Sequence, residues 1–503
     1  MIDPNQTSLI RLLPMLDLCW TLEIPKTTMT VLKLAGVAWL VHIVFLSIWI
    51  ILQKRSPVAT LGWILALAFL PYIGFLIYHF LGPHKLIKQQ FKRLIPRTSL
   101  KEHSDYLQGH IPALTINEHP EEVGHVAELV RKTTGYPLTS AQDLQLLVDG
   151  EQTYTAILDA VTQAKHHIHL EYYIFEPDHI GTTLRDLLIT KAKAGVRVRL
   201  LADGLGSSNL KSRFLKPLLD AGAQFAFFHK PHLSQLFKPM VNFRTHRKIV
   251  ICDGNTGFTG GLNITDEEDE RIHPDDAYHD IHLKLTGNAV HWLQMTFLED
   301  WFYATRVQNI PDVRRYFPIN PTSPFPVQVI PSGPDNPWEI IHRFYLTIIQ
   351  RAQHRVWLTT PYFVPTEPTL FALTNAALRG VDVRLLVPKQ SDSRLVTYAA
   401  RSYFGELKAA GVKIWEYDQR MLHSKTIVID RQYSLIGTAN FDNRSFHLNF
   451  EICVAGYGEA LTDKLAEQFL KDLDSAGLVP EQRKISFIAR FFEAIARLSS
   501  PLL

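Results

Sequence analysis

Two long apolar runs open the hydrophobic pattern of this chain. Leu34 to Leu52 holds one ionisable residue, His42, and Ala59 to Leu81 holds Pro71 and Gly74 but no Asp, Glu, Lys or Arg. A bilayer-spanning helix takes about 20 apolar residues, and a proline there bends the helix without ending it. The pattern therefore predicts a two-helix transmembrane hairpin over 34–81, closed by the connector QKRSPV. Nine cations flank the runs on their outer sides, and two, Lys54 and Arg55, lie in the connector. That asymmetry predicts a multi-pass protein with both termini, and the body that follows, on the cytoplasmic side.

Beyond residue 101 the pattern turns globular. Helices are predicted over Glu121–Lys132 and Thr182–Ala194, and HIHLEYYIF (167–175) and VRVRLLAD (196–203) read as buried strands. Strands alternating with helices predict an α/β fold with a largely parallel or mixed sheet covered by helices. The pattern then repeats. HHIHLEYYIFEP (166–177) aligns with HRVWLTTPYFVP (354–365), and AGVRVRLLAD (194–203) with RGVDVRLLVP (379–388). This internal duplication divides the chain into an N-terminal extension (1–33), the hairpin (34–81), a basic juxtamembrane segment and linker (82–139), a first repeat (140–317), a second repeat (318–480) opening in proline-rich sequence, and a C-terminal amphipathic helix (481–503). Two repeats predict a pseudo-twofold body, and any site at the seam takes one half from each.

Each repeat ends in the same cluster, HRKIVICDGNTGFTGGLN (246–263) and HSKTIVIDRQYSLIGTAN (423–440), with the shared His, Lys, Asp, Gly and Asn each offset by 177. In a strand, residues i and i+2 share a face. His246 and Lys248 therefore point together, as do His423 and Lys425. Imidazole beside ammonium suits phosphodiester transfer: one histidine attacks phosphorus, and the other protonates the leaving alkoxide and then deprotonates the incoming alcohol. Lysine neutralises the phosphate oxygens. Asp253 and Asp430 complete the two motifs, and Asn263, Asn440, Gly261 and Thr438 are expected to support the phosphate. Each imidazole needs a carboxylate to fix its tautomer. Asp280 and Glu451 follow the motifs at similar places, and crossed pairing is expected: Glu451 with His246, Asp280 with His423. This chemistry calls for no metal and no cofactor.

Charge and composition narrow the substrate. The chain holds 52 Lys+Arg against 49 Asp+Glu, a net charge of +3, which excludes a protein built to coat nucleic acid. With the hairpin, it favours a lipid over a nucleic-acid phosphodiester. Cys19, Cys252 and Cys453 form no CxxC pair, so no thiolate zinc site is indicated. The acidic stretch DEEDERIHPDD (266–276) lacks the ligand spacing of a calcium loop and reads as a solvated loop. ADGLGSS (202–208) reads as a strand-end loop near the site, and Glu171, Tyr362 and Phe363 fit either its mouth or buried packing equally well. Basic residues in 84–97 suffice as a topology anchor. In the last 22 residues, Ile485, Ile488, Phe491, Phe492, Ile495 and Leu498 fall at helical spacing among arginines. Two readings stand, a helix lying on an anionic membrane or one packed on its own domain.

The paired clusters resemble the two HKD motifs of the phospholipase D superfamily. The hairpin region and EYYIF, ADGLGS, TGGLNI, SGP, TPYFVP and the closing SPLL resemble the bacterial cardiolipin synthases of that superfamily, over roughly residues 30–503. The resemblance implies two αβα sandwich repeats in a bacterial inner membrane protein. It implies transfer of a phosphatidyl group from one phosphatidylglycerol to another, giving cardiolipin and glycerol through a phosphatidyl-histidine. It implies His246 as nucleophile and His423 as acid/base, an assignment that the near-symmetry of the motifs leaves reversible. Water as acceptor instead makes a phospholipase D, and serine a phosphatidylserine synthase. One duplicated chain completes its own site, so a homodimer is allowed and not required.

Overall fold

The computed structural model describes residues 26–52, 57–69, 121–229, 243–307, 313–318, 320–321, 323–483 and 485–503. The extension up to residue 25, the second apolar run from residue 70 and the basic segment up to residue 120 lie outside them. The chain divides into two compact units, 1–83 and 84–503.

In the first unit, α1 (Lys26–Ile51) and α2 (Pro57–Phe69) pack through Ile50 and Leu67, with Leu46 and Trp63 against them. Proline at the head of α2 costs nothing, because the first helical N–H has no intrahelical partner. Leu40, Phe45 and Trp49 on α1 face outward, each more than half exposed. Counted on the described residues, no helix is long and apolar enough to cross a membrane. The α1 backbone runs 26 residues, about 39 Å.

The second unit begins with α3 (Glu121–Thr134) and β1 (Thr139–Ala141). The first repeat follows as β2 (Asp143–Val148), α4 (Asp149–Gln163), β3 (His167–Tyr172), α5 (His179–Lys193), β4 (Arg197–Asp203), α6 (Ser212–Asp220), β5 (Gln224–Phe228), β6 (Ile249–Cys252), β7 (Thr256–Gly260), β8 (Ile281–Thr286) and α7 (Val290–Thr305). The second is β9 (Phe325–Ser332), α8 (Ile340–Arg351), β10 (Arg355–Thr359), β11 (Phe363–Val364), α9 (Glu367–Leu378), β12 (Asp382–Pro388), α10 (Arg394–Ser402), α11 (Phe404–Ala409), β13 (Lys413–Tyr417), β14 (Thr426–Ile429), β15 (Tyr433–Gly437), β16 (Phe441–Asp442), α12 (Asn443–His447), β17 (Glu451–Tyr457) and α13 (Glu459–Leu473). β18 (Ala476–Leu478) and α14 (Phe487–Leu498) close the chain.

The duplication is visible strand for strand. The first sheet runs β2-β8-β7-β6-β3-β4-β5, and the second runs β9-β17-β15-β14-β10-β12-β13 with β1 and β18 added at its edges. In each, the three βαβ strands are parallel and the motif-bearing hairpin and its neighbours are antiparallel. The sheet is therefore mixed, because the tight turns after each motif permit only antiparallel pairing. β1 pairs with β9, so the residues that open the first repeat in sequence complete the second sheet. One apolar core holds Leu283, Trp292 and Phe297 of the first half together with Val428, Ile436 and Phe469 of the second. The two halves thus form a single folded body.

Candidate active site

Backbone pairing at the seam brings the two motifs together. Thr245 bridges Phe450, and His279 bridges Leu422. His246 N–H donates to the Phe450 carbonyl at 2.9 Å, and His423 N–H to the His279 carbonyl at 2.8 Å. Each motif histidine is therefore held beside the residue preceding the other half's carboxylate. Side chains follow the backbone: His246 Nδ1 lies 3.0 Å from Glu451 Oε2, and His423 Nδ1 lies 2.7 Å from Asp280 Oδ2. The crossed pairing expected from the sequence is the arrangement present.

Each carboxylate is held in turn. Glu451 accepts from Thr438 Oγ1 and, at 3.1 Å, from Asn449 Nδ2. Asp280 accepts from Ile281 N–H at 2.7 Å and lies 3.6 Å from Lys425 Nζ. Both lysines are buried. Lys248 Nζ donates to the His246 carbonyl at 2.9 Å, and Lys425 Nζ donates to that of His423. Burial lowers both ammonium pKa values, and for Lys248 the Lys425 charge lowers it further. Burial and Lys425 bring His423 down to about 4 against the pull of Asp280. Burial also lowers His246, with Glu451 opposing. Both imidazoles are therefore neutral at pH 7, with Nδ1 donating to its carboxylate and Nε2 left with a lone pair.

Gly261 and Thr438 occupy equivalent positions but act differently. A Cβ on Gly261 would sit 2.0 Å from Asp280 Oδ2. Glycine there admits the Asp280 carboxylate. Asn263 lines the cavity around the histidines, with its amide and its backbone N–H both bound to Glu268, at 2.7 and 2.8 Å. Asn440 N–H binds Ser445 Oγ at 3.1 Å, while its Oδ1, without a hydrogen-bond partner, belongs to a residue lining the cavity.

Two expected site residues are not brought to the histidines. Asp253 and Asp430 lie just past the far ends of β6 and β14, whereas His246 and His423 lie ahead of the near ends. Asp253 accepts from Lys165, His166 and His167 N–H at 2.8–3.0 Å, and Asp430 from Gln353, His354 and Arg355 N–H at 2.8–2.9 Å. Both take a left-handed backbone conformation, with φ of 55° and 51°. Each aspartate braces the entry to the neighbouring strand, so the assignment to chemistry is corrected to one of support.

The sequence reading missed Glu268. The acidic stretch is not wholly solvated, since Glu268 and Asp269 are buried. Burial and the Asp280 charge push Glu268 up to about 7. Its spacing is the available signal: Glu268 follows Asn263 by five residues, as Ser445 follows Asn440. Of the two readings for Phe363 and Glu171, the structure takes buried packing: Phe363 lies in the core, and Glu171 is buried against Thr245 Oγ1 at 2.5 Å. Tyr362 donates to Asp392 at 2.7 Å beside the cavity.

The cavity around the histidines measures about 310 Å³ and is lined by Arg244, His246, Tyr362, His423, Asn440 and Arg444, among others. Among the described residues, Glu268, Asp280 and His423 are close enough to share a metal ion, and so are Glu339, His342 and His447. In the first group Asp280 is already engaged by His423, Lys425 and a backbone N–H.

Comparison with known proteins decides the family. The family model for the phospholipase D-like domain of cardiolipin synthase matches residues 157–296 and 345–473, and the phospholipase D-nuclease N-terminal model matches 37–83. A cardiolipin synthase of Geobacillus sp. (strain WCH70) is 40% identical over 468 residues, covering 92% of each chain. Cardiolipin synthase 1 of Bacillus anthracis is 40% identical over 483 residues, 93% of this chain and 94% of the relative. The chain belongs to the cardiolipin synthase family. It is a phosphatidyltransferase of the phospholipase D type. Among solved structures, a phosphatidylserine synthase from Haemophilus influenzae aligns with a TM-score of 0.56 at 15% identity, over 75% of this chain and all of that one. That likeness concerns the fold.

Proposed function

We propose that this chain joins two phosphatidylglycerol molecules into cardiolipin and glycerol in a bacterial inner membrane. The observation that carries the reading is the pair of imidazoles, each backed by the other half's carboxylate and flanked by a buried lysine, in one cavity. A phosphodiester anion between Lys248 and Lys425 offsets the charge that depresses His423, so binding raises its proton affinity. His246 Nε2 attacks phosphorus, and the P–O bond to glycerol breaks as protonated His423 delivers its proton to the leaving oxygen. Neutral His423 then takes the proton from the second phosphatidylglycerol hydroxyl, whose oxygen displaces His246 from phosphorus. Lys248 and Lys425 compensate the equatorial oxygens.

The asymmetry of the two halves supports this assignment of roles. Glu268, held up to about 7, neighbours His423, whereas the equivalent position beside Asn440 carries Ser445. A proton-holding carboxyl suits the side that exchanges protons with solvent. We read α1 and α2 as the described part of a membrane hairpin, with both termini and the catalytic body cytoplasmic.

The test incubates purified protein with phosphatidylglycerol as sole lipid, beside His246→Ala, and measures products by mass spectrometry. Equal cardiolipin and glycerol, absent in the variant, is the expected result. Phosphatidic acid with glycerol makes the protein a hydrolase. No turnover overturns the donor assignment and directs the search to serine with a cytidine-activated lipid.

A further inference from the structure

We infer that α10 and α14 form a shelf on which the catalytic body rests against an anionic lipid surface. α14 has its polarity reversed relative to a helix packed on a core. Its one acid, Glu493, is buried and ion-paired with Arg483 at 2.7 Å, and Ala496 beside it is buried. Its apolar residues face out: Phe487 and Leu498 are each 82% exposed, and Ile488, Phe491, Phe492 and Ile495 range from 66% to 44%. α10 extends the patch through exposed Leu395 and Tyr398, the Tyr398 ring stacking on Phe492 with centroids 6.1 Å apart. Exposed apolar area of this extent on one face marks an interaction surface.

Charge and continuity with the site select a bilayer as its occupant. Arg394 and Arg490 are exposed at its rim, and α14 presents no exposed acid. That combination of aromatic and aliphatic face with basic margin matches an interfacial helix on anionic lipid. At 12 residues, about 18 Å long, α14 is too short to span and suits lying in the interface plane. α10 also borders a cavity. Arg394, Thr397, Tyr398 and Arg401 line a cavity of about 790 Å³, and this cavity shares Tyr278 and Asp392 with the one around the histidines. Arg394 and Tyr398 thus stand both on the exposed patch and at the edge of a cavity that adjoins the one around the catalytic groups. A lipid whose acyl chains stay in the bilayer needs this arrangement to present its headgroup.

The test places a nitroxide at Ile488→Cys in full-length protein carrying Cys19→Ser, with Cys252 and Cys453 buried. The protein is reconstituted in vesicles of phosphatidylglycerol and phosphatidylcholine. Collision with oxygen but exclusion of a nickel chelate is expected. Access to the chelate places the helix in water and overturns the inference. Exclusion of both reagents means protein covers the face, which overturns it in favour of a second copy. A double variant, Phe487→Ser with Phe491→Ser, is expected to turn over vesicle phosphatidylglycerol about tenfold more slowly, because two buried aromatic contacts with lipid are lost. Turnover of monomeric short-chain phosphatidylglycerol should be unchanged. Equal loss on both substrates overturns the inference as a folding defect. The nitroxide result is independent of which lipid reacts, so failure here is distinguishable from failure of the proposed reaction.

Discussion

Gly261→Ala is the sharpest test of how this site is built. The added Cβ falls 2.0 Å from Asp280 Oδ2 and 2.3 Å from Oδ1. Carbon and oxygen need about 3.3 Å, so the carboxylate must retreat by about 1.3 Å. The 2.7 Å contact between Asp280 and His423 Nδ1 then opens to about 4 Å, beyond hydrogen bonding. Losing the carboxylate that orients a catalytic imidazole costs roughly 10² to 10⁴ in kcat, or about 2.7–5.5 kcal/mol of barrier. Overpacking itself costs stability of only about 1–3 kcal/mol, so the protein should still fold. The assay is steady-state cardiolipin formation by Gly261→Ala, Asp280→Asn and the double variant, with thermal melting of each. The two changes remove one interaction, so the double variant should be little worse than Asp280→Asn alone. Multiplicative losses, or near-normal kcat in a folded Gly261→Ala protein, would refute the claim that this glycine acts by admitting the carboxylate.

Two further outcomes follow from groups outside the cavity. Asp253→Ala should cost about 1.5–3 kcal/mol of stability through three lost backbone hydrogen bonds, with kcat per folded molecule within a few-fold of normal. Calorimetry beside activity separates the two. Those bonds hold the Asp253 carboxyl below its usual 3.8 although burial opposes them. Its contribution is therefore present above that value and lost as pH falls below it. His279 is buried at the seam, 2.7 Å from Asp149 and 3.0 Å from Asp472. Burial alone would lower its pKa, but the two carboxylates raise it from 6.5 to about 10. The stabilisation is full below 6.5 and is lost as pH rises through about 10. The melting temperature of the parent protein should fall more between pH 7 and pH 10 than that of His279→Gln. Equal falls would mean that the ion pairs do not hold the seam.

Much of this protein was legible in one dimension. A fixed offset of 177 between two His-x-Lys clusters reports a duplication directly, because a repeat preserves spacing whatever its contacts. The His-x-Lys spacing also survived in three dimensions, although both pairs sit just ahead of β6 and β14 rather than within them, and each lysine donates to its own histidine's carbonyl. The crossed pairing with Glu451 and Asp280 also followed, because a pseudo-twofold seam needs each half to complete the other. Long-range contact decided the rest. Asp253 and Asp430 belong to the motif in sequence, yet backbone N–H groups of another segment claim them at the far end of the strand. Gly261 and Thr438 are equivalent by count, but one makes room for a carboxylate and the other donates to one. Glu268 sits in a stretch whose charge density reads as solvated, and it is buried because Asn263 receives it. The outward apolar face of α14 has the same periodicity as an inward one. Periodicity states that a helix has two unlike faces. Only the buried Glu493–Arg483 pair determines which of them meets the protein.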